Sequence, residues 1–265
     1  VGHNDKETTL IITNHPKSVI SEAFRSIRTN LQYLGSAKEE KNVLLISSTV
    51  GGEGKTFTAV NLASILAYAQ KKVVLLGLDL RKPKMHIEFG LSNSTGISTY
   101  LIGQTTLQEI IIPTAVPNLD IIPSGPIPPN PSELILSKKM EEMITSLQKD
   151  YDYVILDTPP IGLVTDANIL MQFSDVNLFI VRQGYSRTDY IKGLNNLYQD
   201  QQFKHIYIIM NDISMKGRYG YGYGKGYGYG YGYGYGYYDE DSKPRTLAQK
   251  LLNRIKKSSR STKSA

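Results

Sequence analysis

Residues 49–56 read Thr-Val-Gly-Gly-Glu-Gly-Lys-Thr and stand between a short apolar run and an apolar segment of helical length. A glycine-rich turn that follows a strand and opens a helix lets backbone N–H groups surround a phosphate. Lys55 is expected to reach the β- and γ-phosphate oxygens, and Thr56 to bind Mg²⁺. The strict pattern has glycine where Thr49 stands, so a plain glycine-rich turn remains the alternative. Residues 49–56 are called the P-loop below.

Short apolar runs bounded by turn residues recur along the chain and are predicted to form strands. They are Asn42 to Ser47, Lys72 to Gly77, Leu119 to Ile122, Tyr153 to Leu156, Val176 to Val181 and His205 to Met210. Most are apolar on both faces, which suits a parallel sheet covered by helices, and the segments between them have helical length. The pattern predicts an α/β fold, a doubly wound and mostly parallel sheet flanked by helices.

Composition changes after Met215, where the periodic apolar pattern ends. We predict one domain over residues 1–216, a Gly/Tyr-rich segment over 217–242 and a basic tail over 243–265. Residues 217–265 hold ten Lys or Arg against three acids, a net charge of +7. The whole chain has a net charge of +6, so the first 216 residues carry a net charge of about −1. A near-neutral domain argues against nucleic acid as a partner.

The Gly/Tyr-rich segment alternates glycine and tyrosine and carries ten of the 19 tyrosines. Glycine at every second position makes ordering costly and leaves little to pack, so the segment is expected to be disordered and accessible to an enzyme. A low-complexity or RNA-contacting segment is the alternative reading. The candidate phosphoacceptors are Tyr219, Tyr221, Tyr223, Tyr227, Tyr229, Tyr231, Tyr233, Tyr235, Tyr237 and Tyr238.

The chain contains no cysteine, which excludes disulfides and thiolate metal sites and fits a reducing, cytoplasmic setting. No apolar run reaches the roughly 18 to 20 residues that span a bilayer. The sequence opens on Val1 rather than Met, so we expect it to be a piece of a longer protein.

Two carboxylates stand at the ends of predicted strands, Asp79 and Asp157. Ligands of open parallel sheets bind beyond the carboxyl ends of the strands, so both acids are expected to face the same crevice as the P-loop. Either acid there can bind Mg²⁺ directly or through water. Arg81, Lys82 and Lys84 follow the first acid, and they offset phosphate charge, bind acids of the substrate tail or lie on a solvated surface.

The segment Ser18 to Leu34 has the pattern of an amphipathic helix. Its predicted apolar face comprises Val19, Ala23, Ile27, Leu31 and Leu34. Glu22, Arg25 and Arg28 fall on the opposite face and are predicted to point away from the core. A solvated helix face is the ordinary explanation of such charges.

The P-loop and the two strand-end acids, in this order and spacing, resemble those of the bacterial tyrosine kinases of capsule and exopolysaccharide synthesis, relatives of the MinD and ParA ATPases. The resemblance extends to the Glu22, Arg25, Arg28 spacing, which is similar to the family's oligomerisation motif, to residues 126–134, and to the tyrosine-rich C-terminus. It implies an ATP- and Mg²⁺-dependent enzyme that assembles into rings and phosphorylates its own tail in trans.

Carried onto this chain, the resemblance assigns catalysis to Lys55, Asp79 and Asp157, and Mg²⁺ binding to Thr56, Asp79 and Asp157. It assigns nucleotide binding to Gly51, Gly52, Glu53, Gly54, Lys55, Thr56, Phe57 and Asn211. Asn211 would bind the adenine edge, and an ordinary turn residue at a strand end is the alternative. Two positions depart from related patterns. Val50 replaces the signature lysine of MinD-type ATPases, and Gly77 replaces the first acid of the kinase motif.

The first hypothesis for function is therefore a tyrosine autokinase that regulates polysaccharide polymerisation and export. The resemblance places it at the cytoplasmic side of the bacterial inner membrane, with an upstream transmembrane activator and a cognate tyrosine phosphatase as partners. The alternatives are an ATP-switched oligomerisation module with little kinase activity, which Gly77 would permit, and a MinD/ParA-like ATPase. The basic tail, with Leu247, Leu251, Leu252 and Ile255 at helical spacing, either lies on an anionic membrane or is solvated.

Overall fold

A computed structural model describes residues 9–31, 33–34, 43–162, 166–199 and 205–214. The chain divides into a unit Val1–Gly222 and a unit Tyr223–Ala265, and every described residue belongs to the first. The ten candidate phosphoacceptor tyrosines and the basic tail lie outside the described residues. No helix in the described ranges is long and apolar enough to cross a membrane.

The described residues form a sheet of seven strands in the order β3-β4-β2-β5-β1-β6-β7. The strands are β1 Val43–Ser48, β2 Val73–Gly77, β3 Ile112–Pro113, β4 Leu119–Ile122, β5 Tyr153–Asp157, β6 Val176–Arg182 and β7 Ile206–Asn211. All neighbours pair in parallel except β3 and β4, which are antiparallel. The predicted doubly wound, mostly parallel sheet is confirmed.

Helices connect the strands and cover both faces of the sheet, producing two hydrophobic clusters, one on each side. The helices are α1 Ile11–Asn14, α2 Val19–Leu31, α3 Lys55–Tyr68, α4 Met85–Glu88, α5 Ile97–Leu101, α6 Leu107–Ile110, α7 Pro131–Ile135, α8 Lys138–Asp150, α9 Asp166–Leu170 and α10 Thr188–Gln199. A 3₁₀ turn, Met171–Phe173, follows α9. α3 is buried on nearly every side, because it lies between the sheet and the N-terminal helices.

The buried side of α2 agrees in part with the predicted face, since Leu31 is buried and Ile27 and Leu34 pack half-buried against the core. Ile20, Phe24 and Leu31 are buried, whereas Val19 is 57% exposed, so its prediction as a core residue is wrong. α2 packs against α3, where the Phe24 ring lies 6.0 Å from that of Phe57. The large Phe24 side chain therefore determines which stripe of α2 is buried, and a helical wheel drawn for an isolated helix does not contain this information.

Asn61 on α3 attaches the N-terminal segment to the core. Its side-chain amide donates to the carbonyl oxygens of Thr9 (2.6 Å) and Phe57 (2.9 Å), and its Oδ1 accepts from the backbone N–H of Ile12 (3.1 Å). Asn61 is fully buried. A buried amide with these three bonds stabilises one position of α1 against α3, because losing any of them would leave a buried polar group unpaired.

Candidate active site

The P-loop connects β1, at the centre of the sheet, to α3. Gly52 and Gly54 have φ angles of 87° and 96°, in the region that favours glycine. A Cβ atom at Gly54 would also clash with the amide nitrogen of Asn211. The loop therefore folds as the sequence predicted, into a turn that directs its backbone toward the start of a helix.

Glu53 accepts hydrogen bonds from the first two residues of the P-loop. Its buried carboxylate accepts from the backbone N–H groups of Thr49 (2.6 Å) and Val50 (2.9 Å) and from the Thr49 hydroxyl (2.8 Å). Thr49 thus has a structural reason to replace the expected glycine, since its hydroxyl bonds this acid. Glu53 was predicted to bind nucleotide. Its side chain instead accepts hydrogen bonds from the protein, and its backbone forms part of the P-loop.

Lys55 and Thr56 each contact one of the strand-end acids. Lys55 Nζ lies 3.2 Å from Asp79 Oδ2, and both side chains are largely buried. The Thr56 hydroxyl donates to Asp157 Oδ2 at 2.8 Å. β2 and β5 are neighbours, and β5 also pairs with β1. The sheet therefore brings together the four side chains that the sequence predicted to meet.

The protonation equilibria of this cluster respond to burial and to the neighbouring charges. Burial raises the pKa of Asp157, and this outweighs the opposing effects of Lys55 and of the Thr56 hydroxyl. Burial alone would lower the pKa of Lys55, but the negative charges of Asp157 and Asp79 outweigh it and raise that pKa. Lys55 is therefore a permanent cation at neutral pH, as a phosphate-binding lysine must be.

The donor set fits Mg²⁺ that also binds nucleotide oxygens. Asp157 Oδ1 is buried and has no hydrogen-bond partner, an arrangement that is costly unless another group uses the atom. Thr56 places a hydroxyl oxygen beside the same carboxylate. In the described part of the chain no cluster of three or more His, Cys, Asp or Glu residues could hold a metal by itself. Oxygen donors of this kind, completed by phosphate and water, are what Mg²⁺ prefers.

Gly77 lies where the space for a side chain is already filled. A Cβ atom there would stand 2.9 Å from the Ser124 hydroxyl oxygen and 3.2 Å from the Met85 methyl group. The Ser124 hydroxyl, at the end of β4, donates to the Gly77 carbonyl oxygen at 2.6 Å. A side chain at position 77 would therefore have to displace Ser124 or Met85, and Asp79 and Asp157 are the strand-end acids that contact Lys55 and Thr56.

Arg81 is engaged by protein groups. Its guanidinium donates to both oxygens of Asp166, at 2.8 and 3.2 Å, and to the Ser132 hydroxyl at 2.9 Å. Burial would raise the pKa of Asp166, but the hydrogen bonds from Arg81 and Ser132 outweigh it and lower that pKa. Arg81 is thus an exposed residue whose guanidinium is already paired within the protein. It fixes the segment after Asp79 against α7 and α9.

Sequence reasoning missed the turn between β6 and α10, residues 183–187, called the β6–α10 turn. The Tyr185 hydroxyl donates to the Gly51 carbonyl oxygen at 2.9 Å, and Arg182, the last residue of β6, donates to that of Gly52 at 3.0 Å. Ser186 bonds the Glu53 carboxylate. Three successive P-loop residues are thus held by one connection, and no local sequence signal announces contacts across more than a hundred residues.

Asn211 and Phe57 also contact the P-loop region, each through protein groups. The Asn211 amide donates to the Glu53 carbonyl oxygen at 2.9 Å, which fixes one end of the amide beside the loop. The partly buried Phe57 side chain packs against Phe24 of α2.

The three charged residues of α2 are half-buried. Arg25 forms an ion pair with Glu22, three residues earlier on the same helix, and its second guanidinium nitrogen donates to the Pro16 carbonyl oxygen at 2.7 Å. Part of the charged face that was predicted to point outward is therefore neutralised within the chain.

A family model described as an AAA domain matches residues 41–213. The tyrosine-protein kinase YwqD of Bacillus subtilis is 37% identical over 216 residues, which is 81% of this chain and 91% of that protein. The kinase domain of the Escherichia coli tyrosine kinase ETK superposes with a TM-score of 0.74 at 30% identity and covers 86% of this chain and 87% of that one. The septum site-determining protein MinD of Pyrococcus horikoshii, solved with Mg-ADP, shares the fold at 24% identity, with a TM-score of 0.54, covering 64% of this chain and 69% of that one.

Proposed function

The chain belongs to the bacterial tyrosine kinases, a family of AAA-domain P-loop proteins, and from that premise we propose that it transfers the ATP γ-phosphoryl group to the tyrosines of its own residues 219–238. The observation that carries the proposal is the meeting of Lys55, Thr56, Asp79 and Asp157 beside one P-loop. A tyrosine-rich segment in the same chain supplies the acceptor hydroxyls.

When bound, Mg²⁺–ATP supplies the transferable γ-phosphoryl group. Lys55 would bind the β- and γ-oxygens, while Thr56 and Asp157 would hold the metal ion, with Asp157 Oδ1 as the available carboxylate atom. Lys55 now pairs with Asp79, and a phosphate would compete for its charge. Asp79 Oδ2, once released, would accept a hydrogen bond from the incoming tyrosine hydroxyl and orient it.

The missing acid at Gly77 does not exclude this reaction. Phosphoryl transfer passes through a loose transition state, so catalysis depends mainly on positioning and on neutralising charge. Lys55 and the P-loop backbone supply both of these. The same observation supports a second candidate function, in which ATP binding switches assembly and little phosphate is transferred, because Ser124 and Met85 fill the space of a second acid.

We further propose that Glu22, Arg25 and Arg28 contribute to contacts between subunits that present one tail to the neighbouring site. The half-buried positions of these charges on α2 support a weak contact, since an ion pair that solvent reaches contributes only about 0 to 1 kcal/mol. The biological role proposed is control of capsule or exopolysaccharide polymerisation at the cytoplasmic side of the inner membrane. A transmembrane activator and a tyrosine phosphatase are the partners that this role requires.

The test is incubation of the whole chain with Mg²⁺ and ATP, followed by mass spectrometry that locates phosphotyrosine by residue. We expect phosphate within residues 219–238, and at least a hundredfold less of it in Lys55→Met and Asp157→Asn variants, because each loses a contact to phosphate or metal. Lys71→Met, which removes an exposed lysine, is the matched control. A chain that binds ATP and assembles but forms no phosphotyrosine would support the assembly switch instead.

A further inference from the structure

Tyr185 connects the surface of the molecule to the P-loop. Half of it is exposed, at 50%, yet its hydroxyl donates to the Gly51 carbonyl oxygen. The Arg182 guanidinium stands 5.2 Å from the centre of its ring and donates to the Gly52 carbonyl oxygen. The P-loop is therefore held from outside by a tyrosine that solvent can reach.

Tyr185 also has the immediate sequence context of the candidate acceptors. Eight of the ten tail tyrosines follow a glycine, and of the nine other tyrosines only Tyr185 does. Gly184 has a φ angle of 70°, and an added Cβ atom would meet nothing within 4 Å. The residue lies in a turn and not in a helix or strand. A site that accepts a Gly-Tyr pair in the tail is therefore expected to accept Gly184-Tyr185 as well.

We propose that Tyr185 is a phosphorylation site of this chain, and that its modification releases the P-loop and weakens nucleotide binding. The inference rests on the proposed kinase function. In the reaction the Tyr185 Oη forms a bond to the γ-phosphorus of ATP, and the bond from that phosphorus to the β–γ bridging oxygen breaks. ADP leaves with the bonding electron pair, and the phenolic proton passes to water.

Phosphorylation would replace the hydrogen bond between Tyr185 and Gly51 by repulsion. The phosphorylated oxygen has no proton to donate to Gly51, and it adds a charge of about −1.5 to −2 beside a carbonyl oxygen. Arg182 is close enough to pair with the new phosphate, and a guanidinium binds phosphate more strongly than a carbonyl oxygen. Its bond to Gly52 would then also be lost.

Phosphorylation of Tyr185 would oppose nucleotide binding in two ways. A P-loop freed at Gly51 and Gly52 must be ordered again when the nucleotide binds, and ordering costs free energy. The new negative charge also repels the phosphates of the nucleotide. Modification of Tyr185 would therefore limit further turnover.

The experiment uses the whole chain after incubation with Mg²⁺ and ATP. Phosphotyrosine is located by residue, and the affinity for a fluorescent ADP analogue is measured before and after treatment with a tyrosine phosphatase. The variants Tyr185→Phe and Tyr190→Phe are taken through the same incubation and phosphatase treatment. Tyr190 is a comparably exposed tyrosine of α10, at 36%, that follows Asp189 and stacks with Arg187.

We expect phosphate at Tyr185 but not at Tyr190, and an affinity for the ADP analogue about tenfold weaker when Tyr185 is modified. Tyr185→Phe should weaken binding about threefold and make it independent of the phosphatase, whereas Tyr190→Phe should match the parent. Phosphate in the tail with none at Tyr185 would overturn this inference and leave the proposed function intact. Unchanged affinity in modified chains would overturn the release of the P-loop, and absence of phosphotyrosine everywhere would overturn both proposals.

Discussion

Replacing Glu53 by alanine should destabilise the P-loop more than any change of its solvent-facing residues. The carboxylate accepts two backbone hydrogen bonds and one from each of the Thr49 and Ser186 hydroxyls, and it is fully buried. Hydrogen bonds to charged groups contribute about 1.5–3 kcal/mol each, and donors left unpaired in the interior cost about 1–3 kcal/mol. Water entering the vacated space recovers part of this loss. We therefore expect the free energy of unfolding to fall by about 3–5 kcal/mol.

Urea unfolding followed by circular dichroism measures this loss. With a slope of about 2 kcal/mol/M, the midpoint should fall by about 2 M. Glu53→Gln, which keeps one acceptor oxygen, should fall between the alanine variant and the parent. Glu109→Ala is the matched control, because Glu109 accepts from the backbone N–H and the hydroxyl of Thr106 in the same way but at an exposed helix start. If the two alanine variants lose equal stability, burial does not strengthen the Glu53 contacts and the reasoning fails.

Three other outcomes are expected. Arg25→Ala combined with Arg28→Ala should reduce assembly in light scattering at low salt, and unchanged assembly would show that α2 is only a solvated surface. Asp166→Asn should have a lower free energy of unfolding than the parent at neutral pH, and it should lose less further stability on acidification. In the parent the pKa of Asp166 is lowered, so its ionised carboxylate stabilises the fold above the ordinary pKa of 3.8, and this stabilisation is lost as the pH falls through the lowered pKa. Gly77→Asp should lower the free energy of unfolding by about 1–3 kcal/mol, and adding Ser124→Gly to it should restore part of that loss. A Gly77→Asp variant as stable as the parent would contradict the packing found there.

The six predicted strands are confirmed to within a residue or two because each is a continuous apolar run between turn residues. β3 was missed, since Ile112–Pro113 comprises two residues at the sheet edge and contains a proline, which gives no periodic signal. In α2 the sequence indicated the helix and part of its buried side, but it placed Val19 there and missed Phe24. The position of Phe24 follows from its contact with Phe57, which is far away in sequence.

Some features of the candidate site could likewise be predicted from the sequence, and others could not. Lys55, Thr56, Asp79 and Asp157 were predictable because a glycine-rich loop and strand-end acids are local patterns, and parallel strands bring their ends together. The P-loop contacts of the β6–α10 turn were not predictable, because hydrogen bonds from side chains to distant carbonyl oxygens leave no trace in composition or periodicity.

Asn61 makes a mechanical connection between the start of the described chain and the phosphate-binding region. Its amide nitrogen donates to the carbonyl oxygens of both Thr9 and Phe57, the residue after Thr56, and its amide oxygen accepts from the backbone N–H of Ile12. A pull on the chain before Thr9 would therefore be transmitted as strain to the first turn of α3, not absorbed by a loose segment. Force applied upstream would change the affinity for nucleotide, and nucleotide binding would resist that force to the same extent.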